Sequence, residues 1–500
     1  MALADPATHG GAPTEVIDTH TARVVLAGAR AFKMRRPVDY GWLDYATPAR
    51  RRAMAEAEVA INGPHAPGLY LGVGGITEAG LSPPGAPLPE GAEPLTVMRR
   101  FPAADLLDRM AAEGRLDAGL MRETGRAVAV MHRRAPAWDA PPDLAGLAAA
   151  LGEELAALAG LLGAERVERL AVLTDAAVAA GTELAGGRRV RACHGDLHLR
   201  NIVLWRGRPT PFDAIEFSER LSVIDPLYDL AFLMMDLRHR ALPGLAAEAL
   251  NAWAEAMAAE PGAEEVTAYG GLGLLPLCLA LRAGVRAKVG ALAARDAGGA
   301  DAAARLAEAR GYLAEAIGYL EAPPAPMLVA VGGRSGSGKT TLARALAAET
   351  GAVVLRSDAI RKGLLGLGET ERLPAEAYTR EASARVYAAM QARARLALAG
   401  GWPAILDAAH LDEAERDAAR ALAQETGVPF HGIWLEGGQA ALAARVTTRR
   451  GDASDADAGV VARQFARETG PIRWAVLEAD APEGVVAARA AAMIADARQG

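Results

Sequence analysis

Between residues 16 and 35, short apolar runs alternate with polar positions and break once, at Gly28. The runs read Ala22-Arg-Val-Val-Leu26 and Ala31-Phe-Lys-Met34. That alternation predicts a β-hairpin. Thr47 followed by Pro48 then supplies an N-cap and a pre-set first turn, which predicts a helix over 48–62. Strand-like runs return at 69–76 and 95–99, separated by a Pro- and Gly-rich loop over 82–91. From about 103 to 184 the apolar residues fall at helical spacing. A β-rich island follows at 190–217, and helices resume to 320. Glu321-Ala-Pro-Pro-Ala-Pro326 has no periodicity and reads as a linker. Beyond it, apolar strands at 327–331, 352–355, 404–406 and 431–435 alternate with helical segments, the signature of a doubly wound α/β parallel sheet. The expected organisation is an α+β domain over 15–320, a linker over 321–326 and an α/β domain over 327–498.

Composition narrows the functional classes. The chain has 500 residues, a size that one core rarely organises. A net charge of −7 and 5% aromatic residues argue against a nucleic-acid partner, which calls for a basic surface and stacking platforms. Two cysteines, Cys193 and Cys278, exclude a disulfide framework and suit a reducing cytoplasm. The first fifteen residues lack a basic start and an apolar core, so they do not read as a signal peptide. The longest apolar stretch, 272–281, contains Gly273 and Pro276 and is expected to be too short to cross a bilayer. A soluble cytoplasmic protein without a membrane partner is expected. Of the 54 basic residues only Lys33, Lys288, Lys339 and Lys362 are lysines. Where Arg has replaced Lys almost everywhere, a retained Lys marks a place that needs a compact point charge.

Gly333-Arg334-Ser335-Gly336-Ser337-Gly338-Lys339-Thr340 matches G-x-x-x-x-G-K-[ST] between an expected strand and an expected helix beginning at Thr341. Glycines there let successive backbone N–H groups turn inward as an anion nest, and the helix N-terminus adds partial positive charge. Lys339 suits the β- and γ-phosphates of ATP, and the Thr340 hydroxyl suits Mg²⁺. Downstream, Asp358 ends the second strand, where it can take a proton from a substrate hydroxyl, with Arg361 one turn on to hold a substrate anion. Asp407, after the next strand, stands where a carboxylate helps hold the metal. Arg445 and Arg449, one turn apart, are candidates for a lid over the transferring phosphoryl group. Bland alternatives are a helix N-cap for Asp358, a turn residue for Asp407 and a solvated basic face for the two arginines.

Cys193-His194-Gly195-Asp196-Leu-His198-Leu-Arg-Asn201 is a second constellation. Phosphoryl transfer to a hydroxyl wants a carboxylate beside the acceptor oxygen, which Asp196 supplies, and oxygen ligands for Mg²⁺, which Asn201 and Asp213 supply. The two histidines could suggest zinc instead, but no partner pair lies elsewhere at ligand spacing. His194 better serves to brace the loop.

The run from 193 to 201, with Phe212-Asp213-Ala-Ile-Glu216-Phe217 and Asp225-Pro226-Leu-Tyr-Asp229-Leu230, resembles the aminoglycoside phosphotransferase-like branch of the protein-kinase fold. That resemblance implies a bilobed α+β fold, a strand carrying Asp213, and Lys33 on the α- and β-phosphates. It also implies a partner acid for Lys33 on the following helix: Glu58, with Glu56 as competitor because the helix phase is open. Val97-Met98-Arg99-Arg100-Phe101 is placed like the hinge between lobes, and the glycine-rich phosphate loop of protein kinases is missing near 22–31. The second half, from Gly333 through Asp358, Arg361, Asp407 and the 445–455 segment, resembles P-loop kinases of small metabolites such as gluconate kinase-like, zeta-toxin-like and polynucleotide-kinase-like proteins. Together the resemblances imply an enzyme that phosphorylates hydroxylated small molecules with ATP and Mg²⁺ in both halves. The alternatives are a P-loop switch that regulates a single kinase, or a nucleic-acid kinase.

Overall fold

In the computed structural model, residues 2–39, 41, 43–259, 265–368, 371–448 and 454–496 are described. By their contacts the residues divide into two compact units, one of residues 1–138 and 190–233, the other of residues 139–189 and 234–500.

The first unit is built on a six-stranded antiparallel sheet. Its strands are β1 (Thr14–Asp18), β2 (Ala22–Ala27), β3 (Arg30–Arg35), β4 (Tyr70–Thr77), β5 (Gly80–Ser82) and β6 (Glu93–Arg99), in the order β1-β2-β3-β6-β4-β5. Alternation sends Val25, Ala27, Phe32, Leu95 and Val97 into one apolar cluster and Ala31, Tyr70 and Met98 into another. Helix α1 (Pro48–Asn62) starts where the cap and proline place it, with the Thr47 hydroxyl accepting from the Arg50 N–H. Its buried stripe is Arg51, Ala55, Glu58 and Asn62, mostly polar. The stripe is tolerated because each polar group is paired, Arg51 with both carboxylate oxygens of Glu93 at 2.5 and 2.6 Å. Helix α2 (Ala118–Arg134) is capped by Asp117 and buries Met121, Val128 and Met131. The hairpin of β9 (Ile202–Trp205) and β10 (Arg208–Pro211) turns through Arg206 and Gly207, both at positive φ; β7 (Ala137–Trp138), β8 (Val190–Ala192) and β11 (Val223–Ile224) form a small separate sheet. The segment 212–217, expected as a strand around Asp213, is irregular, because its groups bond to the neighbouring loop and not to a ladder.

The second unit contains α3 (Pro243–Met257), α4 (Leu275–Asp296) and α5 (Gly299–Glu321), followed by the expected parallel sheet. Strands β12 (Leu328–Gly333), β13 (Val353–Arg356), β14 (Ala404–Asp407), β15 (Phe430–Glu436) and β16 (Ala475–Glu478) lie in the order β13-β14-β12-β15-β16, all parallel. β16 was not expected from its four-residue run. Helix α6 (Lys339–Thr350) leaves β12 and contacts α3, whose Asn251 amide accepts from the Val354 N–H at 2.6 Å and donates to Ala352 O at 3.4 Å. The helices before the proline-rich segment thus share a compact unit with the sheet after it. The 272–281 stretch proves to be part of a longer apolar segment, 266–296, long and apolar enough to cross a membrane. Its most apolar window is 78% buried inside the protein, as a core helix would be. Neither cysteine forms a disulfide, and both are buried.

Candidate active sites

In the first unit, strand β3 and helix α1 meet through charge. Lys33 Nζ lies 3.0 Å from Glu58 Oε1 and 2.5 Å from Asp213 Oδ1. Burial works against the Lys33 charge, but the Asp213 and Glu58 carboxylates outweigh it and hold the ammonium above its ordinary range. The helix phase is settled: Glu58 faces the lysine, while Glu56 lies at the surface on Arg52. Arg35, two residues along β3 and hence on the same face, is buried between Glu58 Oε2 (2.6 Å) and Glu216 Oε1 (2.7 Å). Tyr45 donates its hydroxyl to the same Glu216 oxygen at 3.0 Å. Sequence reasoning passed over Arg35, although the period of two from Lys33 was a usable signal.

Asp213 has φ of 62°, and its N–H donates to the Tyr70 hydroxyl oxygen. A non-glycine residue there carries strain that the surrounding bonds must hold. Asn201 donates its amide nitrogen to Asp196 O (3.0 Å) and Oδ2 (2.9 Å), which leaves its carbonyl oxygen to accept or to ligate. His194 bonds Phe212 O through Nε2 and accepts the Asp196 N–H at Nδ1, so it ties the Asp196 loop to the Asp213 segment. Asp229 anchors that loop: its carboxylate accepts from His194 N (2.9 Å), Gly195 N (2.8 Å) and His132 Nε2 (3.0 Å). Gly195 is needed, since its φ is 82° and a Cβ would stand 2.8 Å from Leu221 O. His132, Cys193 and Asp229 lie close enough together to hold a metal ion. The Asp229 oxygens are already engaged by N–H donors and the Cys193 thiol bonds Ile224 O, so the cluster serves as a brace. Lys33, Glu58 and Asp213 therefore converge directly, and Asp196 and Asn201 pair beside them through His194.

In the second unit the loop from Gly333 wraps the start of α6. Lys339 Nζ crosses it to Arg334 O at 3.0 Å. Gly336 has φ of 84°, and a Cβ would stand 2.5 Å from Leu442 O. The N-terminus of α6 has no side-chain cap, which leaves its first N–H groups for an anion. Thr340 Oγ1 donates to Asp407 Oδ2 at 2.7 Å, and Arg356 Nε stands 3.9 Å from the same oxygen. Burial pushes the Asp407 carboxyl up, against the pull of Arg356 and Lys339. Ser335, Gly336, Gly338, Lys339, Thr340, Asp358, Arg361 and Asp407 line one cavity of about 610 Å³. Uncapped amides, a lysine and a hydroxyl–carboxylate pair in one cavity fit a magnesium-bound nucleotide.

Several expectations change. Arg445 does not reach this cavity; it bonds Ala479 O at 2.9 Å and pairs with Asp480 at 3.0 Å, lining a second cavity of about 500 Å³ with Gly336, Ser337, Gly338 and Thr341. Arg445, on the helix Gln439–Thr448, thus stands beside the loop in this second cavity and not in the one that holds Asp358 and Arg361. Arg449 lies outside the described residues. The Arg334 guanidinium is engaged elsewhere, 4.4 Å from the Phe465 ring and donating to Gln464 O at 3.4 Å. Gly333 is buried at the strand end, bonded to Ala409 O. Ser337 Oγ is buried with no hydrogen-bond partner among the described residues. Arg361 lines the first cavity but spends one nitrogen on Ala377 O at 2.6 Å. The cations that sequence reasoning missed there are Arg356, Arg372, Arg463 and Arg467.

Comparison with known proteins places this geometry. Residues 25–266 match the model of the phosphotransferase enzyme family, and residues 328–471 match an AAA domain. The chain is 31% identical over 474 residues to the uncharacterized protein Rv2004c of Mycobacterium tuberculosis, covering 91% of this chain and 90% of that protein. The same values hold for the uncharacterized protein Mb2027c of Mycobacterium bovis. Among solved structures, a choline/ethanolamine kinase family protein from Mesorhizobium loti is 18% identical, covering 62% of this chain and 92% of that one, with a TM-score of 0.39. A gluconokinase from Sinorhizobium meliloti is 24% identical, covering 34% and 93%, with a TM-score of 0.26. The chain belongs to the same family as these mycobacterial proteins, and it is an ATP-dependent kinase in which a phosphotransferase-family region precedes a P-loop kinase-like AAA region.

Proposed function

We propose that both halves transfer the γ-phosphate of ATP to a hydroxyl of a small molecule. One observation carries the reading: each half brings a lysine, a carboxylate and a candidate magnesium-ligating oxygen together by itself. In the first half Asp196 accepts the proton of the acceptor hydroxyl, and Asn201 holds that carboxylate in place. Lys33, steadied by Glu58, holds the α- and β-phosphates. In the second half Asp358 is the base, Lys339 and the loop amides hold the phosphates, and Arg361 receives an anionic group of the acceptor. Magnesium, when bound with ATP, neutralises charge on the transferring group. Asn201 and Asp213 would hold it in one half, and Thr340 with Asp407 in the other.

The test follows label from γ-³²P-ATP into a metabolite pool, using the full chain with Asp196→Ala, Lys339→Ala and both. Each single variant should lose a different labelled product, and the double variant should lose both. A label pattern unchanged by either substitution refutes the proposal. A second reading, in which the P-loop half is a nucleotide-driven switch, draws support from the packing of α6 on α3 within one unit. It requires that the Lys339-dependent label reach only water.

A further inference from the structure

The backbone N–H of Ser335 belongs to the phosphate-binding loop and lines the first cavity, yet it already has an acceptor: it donates to Gln464 Oε1 at 2.7 Å. Gln464 lies on α11 (Ala458–Ala466), in a labelling that counts Ser357–Leu364 as α7, Arg380–Ala399 as α8, Glu413–Thr426 as α9 and Gln439–Thr448 as α10. A backbone amide has one proton, so a phosphate oxygen set against Ser335 competes with the Gln464 carbonyl for it. The carbonyl also presents lone pairs to any anion in the cavity that Gln464 lines. Turning the amide by half a revolution about its last torsion removes both conflicts, because it exchanges an acceptor for an NH₂ donor in the same volume.

The helix stays in place during that exchange. Asp457 caps it through the Val460 N–H at 2.8 Å, and Val461 is buried beneath it. Gln464 O accepts from Arg334 Nε at 3.4 Å, and Phe465 packs on the same guanidinium. The backbone is therefore tethered to the residue before Ser335 independently of the side chain. Arg463, its neighbour, and Arg467, one turn on, line the same cavity. We propose that Gln464 is a positioning residue. It yields the Ser335 amide to a nucleotide phosphate and, once turned, offers that phosphate a donor, while α11 holds Arg463 and the adjoining Arg467 on the occupied cavity. The inference rests on the reading of the P-loop as an ATP site.

The experiment titrates MgATP into the full chain by calorimetry, in a Lys33→Ala background that removes the other nucleotide site. Gln464→Met fills the same volume with neither that acceptor nor a donor, so the bond to be displaced and the bond that the turned amide offers both disappear, and ATP should bind within about threefold of the parent. Gln464→Glu keeps the acceptor but cannot turn to donate, so ATP should bind at least about tenfold more weakly. Hydrogen exchange over 458–467 should respond to ATP in the Lys33→Ala parent and not in Gln464→Met, a difference that a purely packing role would not produce. Gln464→Glu binding ATP as tightly as the parent, or Gln464→Met binding it more than about tenfold more weakly, overturns the proposal. Binding that survives Lys339→Ala in the same background overturns instead the ATP-site reading beneath it.

Discussion

Asp229→Asn is the sharpest perturbation of the first site, because it changes one atom and leaves volume untouched. Asp229 is fully buried and accepts N–H bonds from the backbone of His194 and Gly195 and from the His132 ring. An asparagine has a single side-chain oxygen, so its NH₂ group must face at least one of those donors. Hydrogen bonds to a buried charge are worth about 1.5–3 kcal/mol each, and a stranded buried donor costs about 1–3 kcal/mol. One weakened and one lost bond therefore sum to about 3–5 kcal/mol, in line with breaking a buried pair. At about 2–4 °C per kcal/mol for units of this size, the transition that reports the first unit should fall by roughly 6–20 °C. The loss is local, so hydrogen exchange should accelerate first over residues 193–201, which carry Asp196 and Asn201. Label transfer that depends on Asp196 should fall about a hundredfold, the usual effect of a catalytic group misplaced by about an ångström. A variant that melts within 2 °C of wild type, with unchanged exchange over 193–201, would refute the brace.

Glu58→Gln should cost about 3 kcal/mol by urea unfolding, since it strips charge from a buried group shared by Lys33, Arg35 and Thr96; Glu56→Gln, at an exposed i,i+4 pair with Arg52, should stay within about 0.5 kcal/mol. Thr340→Ala should weaken MgATP binding to the P-loop at least about tenfold while Thr340→Ser keeps it, measured by calorimetry in the Lys33→Ala background, because only the hydroxyl on Asp407 is removed. His410 is pushed down to about 3, first by burial and then by Lys339 and Arg416. The unfolded chain takes up that proton near pH 6.5 and the folded chain only near 3, so stability is complete above about 6.5 and is lost as pH falls through this window. By pH 5 this group costs ~2 kcal/mol, which His410→Asn, at a backbone φ of 49° that asparagine accepts, should restore. Urea midpoints at pH 5 and 7 that shift equally in variant and wild type would exclude that account.

The elements that chain-local chemistry dictates came out as read. The hairpin around Gly28, the capped start at Thr47 and Pro48, the loop from Gly333 to Thr340 and the parallel sheet all rest on interactions within a few residues or on a period of two or 3.6. The same locality made Asp196, Asn201 and Lys339 stand out as candidates. Choices stayed open where distant partners decide. The stripe of α1 that faces the sheet is Arg51, Glu58 and Asn62, so no apolar period marks it, and the choice between Glu58 and Glu56 waited for Lys33 and Arg35 to be placed across from it. Arg445 looked like a lid because helical spacing says which residues share a face and not toward what that face turns; its carbonyl and carboxylate partners lie more than thirty residues away. The brace from Asp229 to His194 and the Gln464 contact to Ser335 join groups 35 and 129 positions apart. Contacts of that range are selected by packing and by the need to pair every buried charge and donor, a condition on the folded molecule that no short window of residues can express.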